Sequence, residues 1–379
     1  MRSFKTLLLT VFILLACTPV AIAQIPLSDK ATVSLLTCGP GDELYSVYGH
    51  TAIRVHDPLN GIDTVYNYGT FDFGAPNFYL RFVKGDLQYF VSVSSYTDFV
   101  EQYIYYDRDV FEQVLNLEHE QVQKIADELN TVLLSDKRFY TYKFIGRNCT
   151  TMVADVISNS VQGNISDDVA DKGQTYREIL YRYQKDLFYE NLGINLIFGH
   201  KTDRKLNSLF LPQQLMEGVS KTTINSKPLS QPAVIINKSK SSVQGFSLFN
   251  NYYAFAAILI IIMLFARKRV VYTTFLAISG LVGLFFSTVG LYSLHEEILL
   301  NYNILLINPL FLLLLYFIAR NNKIWITRLV YVCMALLALY IVYMLTKPHL
   351  LLVLPLIALT AVILLRVLNS TGKNLSAKS

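Results

Sequence analysis

The last third of this 379-residue chain restricts its folding more than any other feature. Five apolar runs follow one another: Tyr252–Ala266, Val270–Leu294, Ile304–Ala319, Ile324–Leu345 and Leu350–Leu368. A helix needs roughly 20 apolar residues to cross a bilayer. Most of the runs approach that length, and the short first and third are extended by apolar flanks. Five spans are therefore expected. Arg267-Lys268-Arg269 follows the first run, Arg320 and Lys323 the third, and Arg366 with Lys373 the fifth. With five spans these clusters fall on one side, which the positive-inside rule makes cytoplasmic. Residues 24–250 then lie outside the cytoplasm. The net charge of +5 comes partly from these anchors and does not argue for nucleic acid.

The N-terminus agrees with that topology. Arg2 and Lys5 precede an apolar stretch from Leu7 to Ala16, and Ala21-Ile22-Ala23 precedes Gln24. This is the pattern of a secretory signal peptide with a small-residue cleavage site. Leu14-Leu15-Ala16-Cys17 also resembles a lipobox, which would place a lipid on Cys17. The well-placed cleavage site favours processing after Ala23. Cys38, Cys149 and Cys333 then remain, and a Cys38–Cys149 disulfide is open to an exported protein. No metal pattern appears.

The division expected is a signal peptide over 1–23, a mixed domain over 24–220, a linker over 221–249, membrane helices over 250–368 and a cytoplasmic tail over 369–379. Strand-like alternation covers Ala31–Thr37, Thr51–Val55, Asp63–Tyr68, Leu87–Val93 and Val110–Leu117. Helices are expected over Asn77–Lys84, Tyr96–Tyr105, Glu118–Leu134, near Gln174–Tyr183 and over Pro212–Lys221. Lys221 to Val243 is polar, with Pro228 and Pro232, and reads as the linker.

Within the exported part, FIGRNCTTMVADVI (Phe144–Ile157) places Cys149, Met152, Val153, Val156 and Ile157 on one helical face. Asn148 stands at the N-cap position. A thiol there feels the positive helix end and the nearby Arg147, both of which favour the thiolate. A buried structural cysteine would show the same pattern. A nucleophilic thiol needs a base, usually histidine. His119 sits in an acidic helix start and His200 in a loop. His50 follows Gly49 at a strand start, where a small residue permits close backbone approach. His56 shares its strand face but lies about 20 Å away by strand rise. The third group that orients an imidazole is either Asn67 or Asp72 of VYNYGTFDFG. Asn67 sits within a strand that can face His50, whereas Asp72 can simply cap the turn before Gly74. Between the second and third runs lies YSLHEEILLNYNILLINPL, which places His295, Glu296 and Glu297 on the exported side. Such residues mark either a functional site or a plain polar loop.

The order SVYGHTAIRV, YNYGTFDFG, RNCTT, followed by a membrane tail, resembles the Bacteroides-type lipoprotein N-acyltransferases, the Lnb group. The likeness runs over essentially the whole mature chain. It implies an α+β fold: a circularly permuted papain-like domain, of the NlpC-type and lecithin:retinol acyltransferase-like kind, followed by an all-α membrane domain. It implies Cys149 as nucleophile and His50 as its histidine, with Asn67 the candidate third group. Arg147, Asn148, His295 and Asn301 become candidate substrate contacts, with Asn303 and Asn308 in the same His-plus-Asn loop. The reaction implied moves an acyl chain from a membrane phospholipid, through a thioester, to the N-terminal amine of a diacylated lipoprotein. It needs no cofactor, and its setting is the inner membrane with the catalytic domain in the periplasm. Three rival readings share these residues. They are a cell-wall cysteine peptidase or amidase, a membrane thioesterase or phospholipase, and a non-catalytic envelope receptor.

Overall fold

The structure is a computed structural model that describes residues 26–240 and 247–376. The signal-peptide and Cys17 readings lie outside the described residues, as does the end of the tail.

Alternating β-branched and aromatic residues build strands β1 (Thr32–Cys38), β2 (His50–Asp57) and β3 (Ile62–Thr70). A short helix α1 (Phe78–Lys84) leads to β4 (Gln88–Ser95), helix α2 (Tyr96–Tyr105) and β5 (Val110–Val114). Helix α3 (His119–Leu133), strand β6 (Phe139–Thr141) and helix α4 (Cys149–Val161) follow. Next come α5 (Tyr176–Tyr183), α6 (Phe188–Ile197) and α7 (Pro212–Lys221). A small hairpin, β7 (Thr223–Ile224) with β8 (Lys227–Pro228), precedes β9 (Val234–Asn237). Seven strands form one antiparallel sheet in the order β6-β4-β3-β2-β1-β5-β9.

Side chains alternate across a strand, so the sheet buries two different faces. Val33, Leu35, Ile53, Val55, Tyr66 and Tyr68 pack with α3 and α4. Leu36, Cys38, Ala52 and Val65 pack with Phe99 and Tyr103 of α2. Both helices on the first face carry apolar residues at helical spacing: Val122, Ile125, Ala126 and Leu129 in α3, and Val153, Val156 and Ile157 in α4.

The expected linker is not a free tether. Val234–Asn237 is a further β-branched and apolar run, and it adds to β5 as the outermost strand. Its brevity and the prolines before it hid it. Strand β6 and helix α6 were also not foreseen. Three residues are too few to show a period, and the sequence NLGINLI of α6 carries a central glycine.

The C-terminal part is helical: α8 (Tyr252–Leu264), α9 (Arg269–Tyr292), α10 (Leu310–Ala319), α11 (Lys323–Met344) and α12 (Leu350–Ser376). Three of these, α9, α11 and α12, are long and apolar enough to span a bilayer. The five expected spans are not all met as single helices. Helix α8 is 13 residues long, and α10 reaches span length only with the two 3-10 turns before it, across a 40° bend. Asn301, Asn308 and Pro309 break that segment because their side chains and ring favour capping and turns over a continuous helix.

Candidate active site

The site forms where β2 and β3 end beside the start of α4. Gly49 has φ +83°, and a Cβ there would stand 2.5 Å from the Cys38 carbonyl oxygen. Only glycine permits that approach, and it sets His50 at the first position of β2, in register with Cys38. His50 Nε2 lies 3.3 Å from Asn67 Oδ1 on the neighbouring strand. With the amide oxygen as acceptor, Nε2 carries the proton and the neutral ring keeps its Nδ1 lone pair free. Asp72 takes the other role foreseen for it: its Oδ1 accepts from the Gly74 N–H at 2.7 Å. Of the two candidates for the third group, Asn67 meets the imidazole.

Cys149 is the first residue of α4. Asn148 caps the helix, its Oδ1 accepting from the Thr150 and Thr151 N–H groups at 2.9 and 3.0 Å. Its Nδ2 donates to the Phe144 and Phe210 carbonyls at 2.7 and 2.9 Å. Asn148 is buried, and both ends of its amide are used inside the protein. It fixes the helix start. Arg147 is exposed, with its guanidinium 5.3 Å from the Tyr140 ring centroid.

The expected lowering of the thiol pKa is not found. Burial pushes Cys149 up, and hydrogen bonds from the Thr51 N–H, the Thr150 side chain and N–H, and its own N–H only partly offset this. Desolvation disfavours a thiolate more than the helix end favours it. The imidazole moves the other way. Burial and the nearby Arg108 charge bring His50 down to about 4, against the pull of Asn67. The pair at rest is a neutral thiol and a neutral imidazole.

His50 and Asn67 belong to the α2 face of the sheet, together with Cys38 and Ala52. Cys149 arrives from the α4 face, where the Thr51 hydroxyl meets that of Thr150 at 3.2 Å. On that face Cys149 meets the end of β3 at Gly69. Gly69 has φ +94°, follows a register shift after Asn67, and a Cβ there would sit 3.7 Å from Cys149 Cβ. The thiol's charge is felt by Cys38 and Tyr103 across the sheet. The thiol hydrogen bond goes to Thr51 and the imidazole bond to Asn67. Cys38 and Cys149 are both free thiols, so the disulfide is not formed. Gly69, Thr51 and Arg108 were missed in the sequence. A glycine inside the strand pattern YNYGTF was the one available signal.

Residues 22–182 match the family model described as the Lnb N-terminal periplasmic domain. That segment is a domain of the Lnb type. The matched Lnb segment contains His50, Asn67 and Cys149 and stops before the membrane helices. No curated protein matches the chain, and no solved structure does.

The remaining candidates lie in the loop between α9 and α10, where they dock the Lnb domain on the membrane helices. His295 Nε2 donates to the Phe82 carbonyl at 2.7 Å. Asn301 Nδ2 donates to the Leu196 and Ile197 carbonyls at the end of α6, and its Oδ1 accepts from the Asn303 N–H. Asn303 is fully buried, donates to the Asn195 and Leu196 carbonyls, and accepts from Tyr340 OH at 2.8 Å. Asn308 Oδ1 accepts from the Leu310 N–H. Glu296 pairs with Lys143 and Lys201, and Glu297 accepts from the Ile145 N–H, four residues before the nucleophile candidate. His200 Nδ1 meets Tyr343 OH at 3.1 Å, also across this contact. His119 stays exposed beside Asp29.

Proposed function

We propose that this protein is a cysteine-dependent lipoprotein N-acyltransferase of the inner membrane. In this reading the Lnb domain is papain-like and permuted, and α8 and the bent α10 segment complete five spans. The observation that carries it is the joining of two things. A cysteine at a helix start is hydrogen-bonded to Thr51, the residue after the histidine that meets Asn67, and the loop that leads to that cysteine is bonded directly to the end of a helix bundle.

The chemistry follows from the resting state. His50 Nδ1 takes the thiol proton as Cys149 Sγ attacks the carbonyl carbon of a phospholipid ester. The tetrahedral oxyanion forms next to the Cys149 and Thr51 N–H groups, which already address the sulfur. Collapse breaks the ester C–O bond. The imidazolium returns its proton to the leaving alkoxide, a lysophospholipid departs, and the acyl group stays on sulfur as a thioester. The free α-amine of a diacylated lipoprotein then attacks that carbonyl. His50 takes the ammonium proton formed and gives it to the departing thiolate, which leaves an amide and restores the thiol. Asn67 holds Nε2–H and so keeps Nδ1 as the base. Burial of both groups slows thiolate formation in the absence of substrate and keeps water from competing with the amine.

The deciding experiment is mass spectrometry of a diacylated lipopeptide incubated with phospholipid and the detergent-purified protein. A third acyl chain on the peptide amine is expected with wild type and neither with Cys149→Ala nor with His50→Ala. Free fatty acid with an unchanged peptide identifies a hydrolase. No change in either substrate supports the receptor reading.

A further inference from the structure

The segment Phe71–Lys84 bears large apolar side chains that stay exposed. Helix α1 buries none of its residues. Tyr79 and Leu80 are 80% and 72% exposed, and Phe73 is 62% exposed. Arg81 and Lys84 turn back onto Asp86, which leaves the other side of the helix wholly apolar. A soluble domain rarely presents such a patch without something to cover it.

What covers it follows from where the helix is held. Leu294 N–H donates to the Lys84 carbonyl at 2.7 Å, Ser293 Oγ to the Val83 carbonyl at 2.9 Å, and His295 to the Phe82 carbonyl. These three residues directly follow α9, one of the span-length helices. Helix α1 is therefore pinned at the point where a transmembrane helix leaves the bilayer. Leu291 and Leu294, beside it, are also exposed. Aromatic side chains are favoured at that depth, and short apolar surfaces bind there.

The patch also connects to the thiol. The Tyr142 ring approaches Gly69, with a Cβ there only 4.0 Å away, and Tyr142 feels the Cys149 charge. Tyr142 stacks on Tyr89 at 4.5 Å between centroids, Tyr89 lies 5.1 Å from Phe71, and Phe71 lies 6.0 Å from Phe78 in α1. The rings form an unbroken apolar track.

We propose that Phe71–Lys84 is a lip that dips into the periplasmic leaflet, and that its aromatic track takes an acyl chain of that leaflet to Cys149. Insertion of the lip is independent of the reaction; use of the track rests on the acyltransferase reading. The test uses the full chain in nanodiscs whose lipids carry brominated acyl chains. Trp325 is the single tryptophan, so Trp325→Phe gives a silent background. Into it are placed Tyr79→Trp, Leu80→Trp or, at the exposed β2–β3 turn at the opposite end of those strands, Leu59→Trp. Quenching of about half the signal at 79 and 80, and little at 59, is expected for side chains within the acyl region. Equal quenching at all three positions overturns the lip. The track is read by Phe71→Ala, compared on bilayer phospholipid and on a short-chain soluble ester. A fall of about ten-fold on the bilayer donor alone supports it. An equal fall on both, or none on either, overturns it. If wild type transfers nothing, the acyltransferase reading fails and the track with it, while the quenching result still stands.

Discussion

The start of α4 and the loop between α9 and α10 are built from the same residue types, a histidine with asparagines, yet they end in different states. In the loop the Asn301 and Asn303 amides are saturated. Asn303 uses both its donors and its acceptor on buried partners, and Asn301 ties off the end of α6. At the start of α4 one asparagine is equally committed: Asn148 holds the helix. The groups beside it are not. His50 has one long bond and a free Nδ1, and Cys149 meets β3 where a glycine presents no side chain. Buried polar groups that use every valence hold structure together, because leaving one unpaired costs about 1–3 kcal/mol. Groups that keep a free valence are the ones able to react. Residue type alone does not separate the two cases.

Substitutions can break that distinction. The largest effect is expected for Cys149→Ala, which should abolish acyl transfer by a factor of at least about 10³ while thermal unfolding stays within a degree or two of wild type. His50→Ala should match it. Asn67→Ala should cost roughly 10–100-fold in kcat, because the ring is then free to hold the wrong tautomer. A value no larger than two-fold would remove Asn67 from the site.

Next comes the docking loop. Asn303→Ala orphans the Tyr340 hydroxyl and leaves the Asn195 and Leu196 carbonyls to Arg177 and Asn301, and should destabilise the protein by roughly 1–3 kcal/mol, read by thermal unfolding in detergent. His295→Ala should cost only about 1 kcal/mol and leave most of kcat intact. A loss of kcat as deep as that of His50→Ala would falsify the docking assignment and make the loop part of the chemistry.

The smallest effect sharpens the electrostatic side. His50 binds its proton less readily folded, at about 4, than unfolded, at its ordinary 6.5. Between those values the unfolded chain holds more protons, so stability should fall as pH drops from 6.5 towards 4 and level off below that. His50→Gln should flatten that slope in an unfolding titration. For activity, a neutral imidazole gives no acid limb near pH 6.5, and kcat/KM should still climb above neutrality because the thiol is raised. A limb at 6–7 would mean that the imidazole titrates normally.

Much of the fold could be read in the sequence. The strands β1 to β5 and the helices α2, α3, α4 and α7 fall within a few residues of their apolar periods, because a two-residue or 3.6-residue repeat is a local property. The elements that escaped, β6 and β9, are short and exist through pairing with strands remote in sequence. Gly49 marked His50, and Asn148 marked the start of α4, since caps and close approaches carry their own residue preferences.

The sequence by itself determined that the chain has an exported, mixed domain rooted in apolar helices, with a histidine and a cysteine in a set order. Only the tertiary structure decided that Asn67, not Asp72, meets the imidazole, that Arg147 lies exposed over the Tyr140 ring, and that the Asn148 and Asn301 amides bond within the fold. It also decided the direction of the thiol's pKa. Desolvation and hydrogen-bond valence depend on what the rest of the chain brings into contact, and no local pattern encodes them.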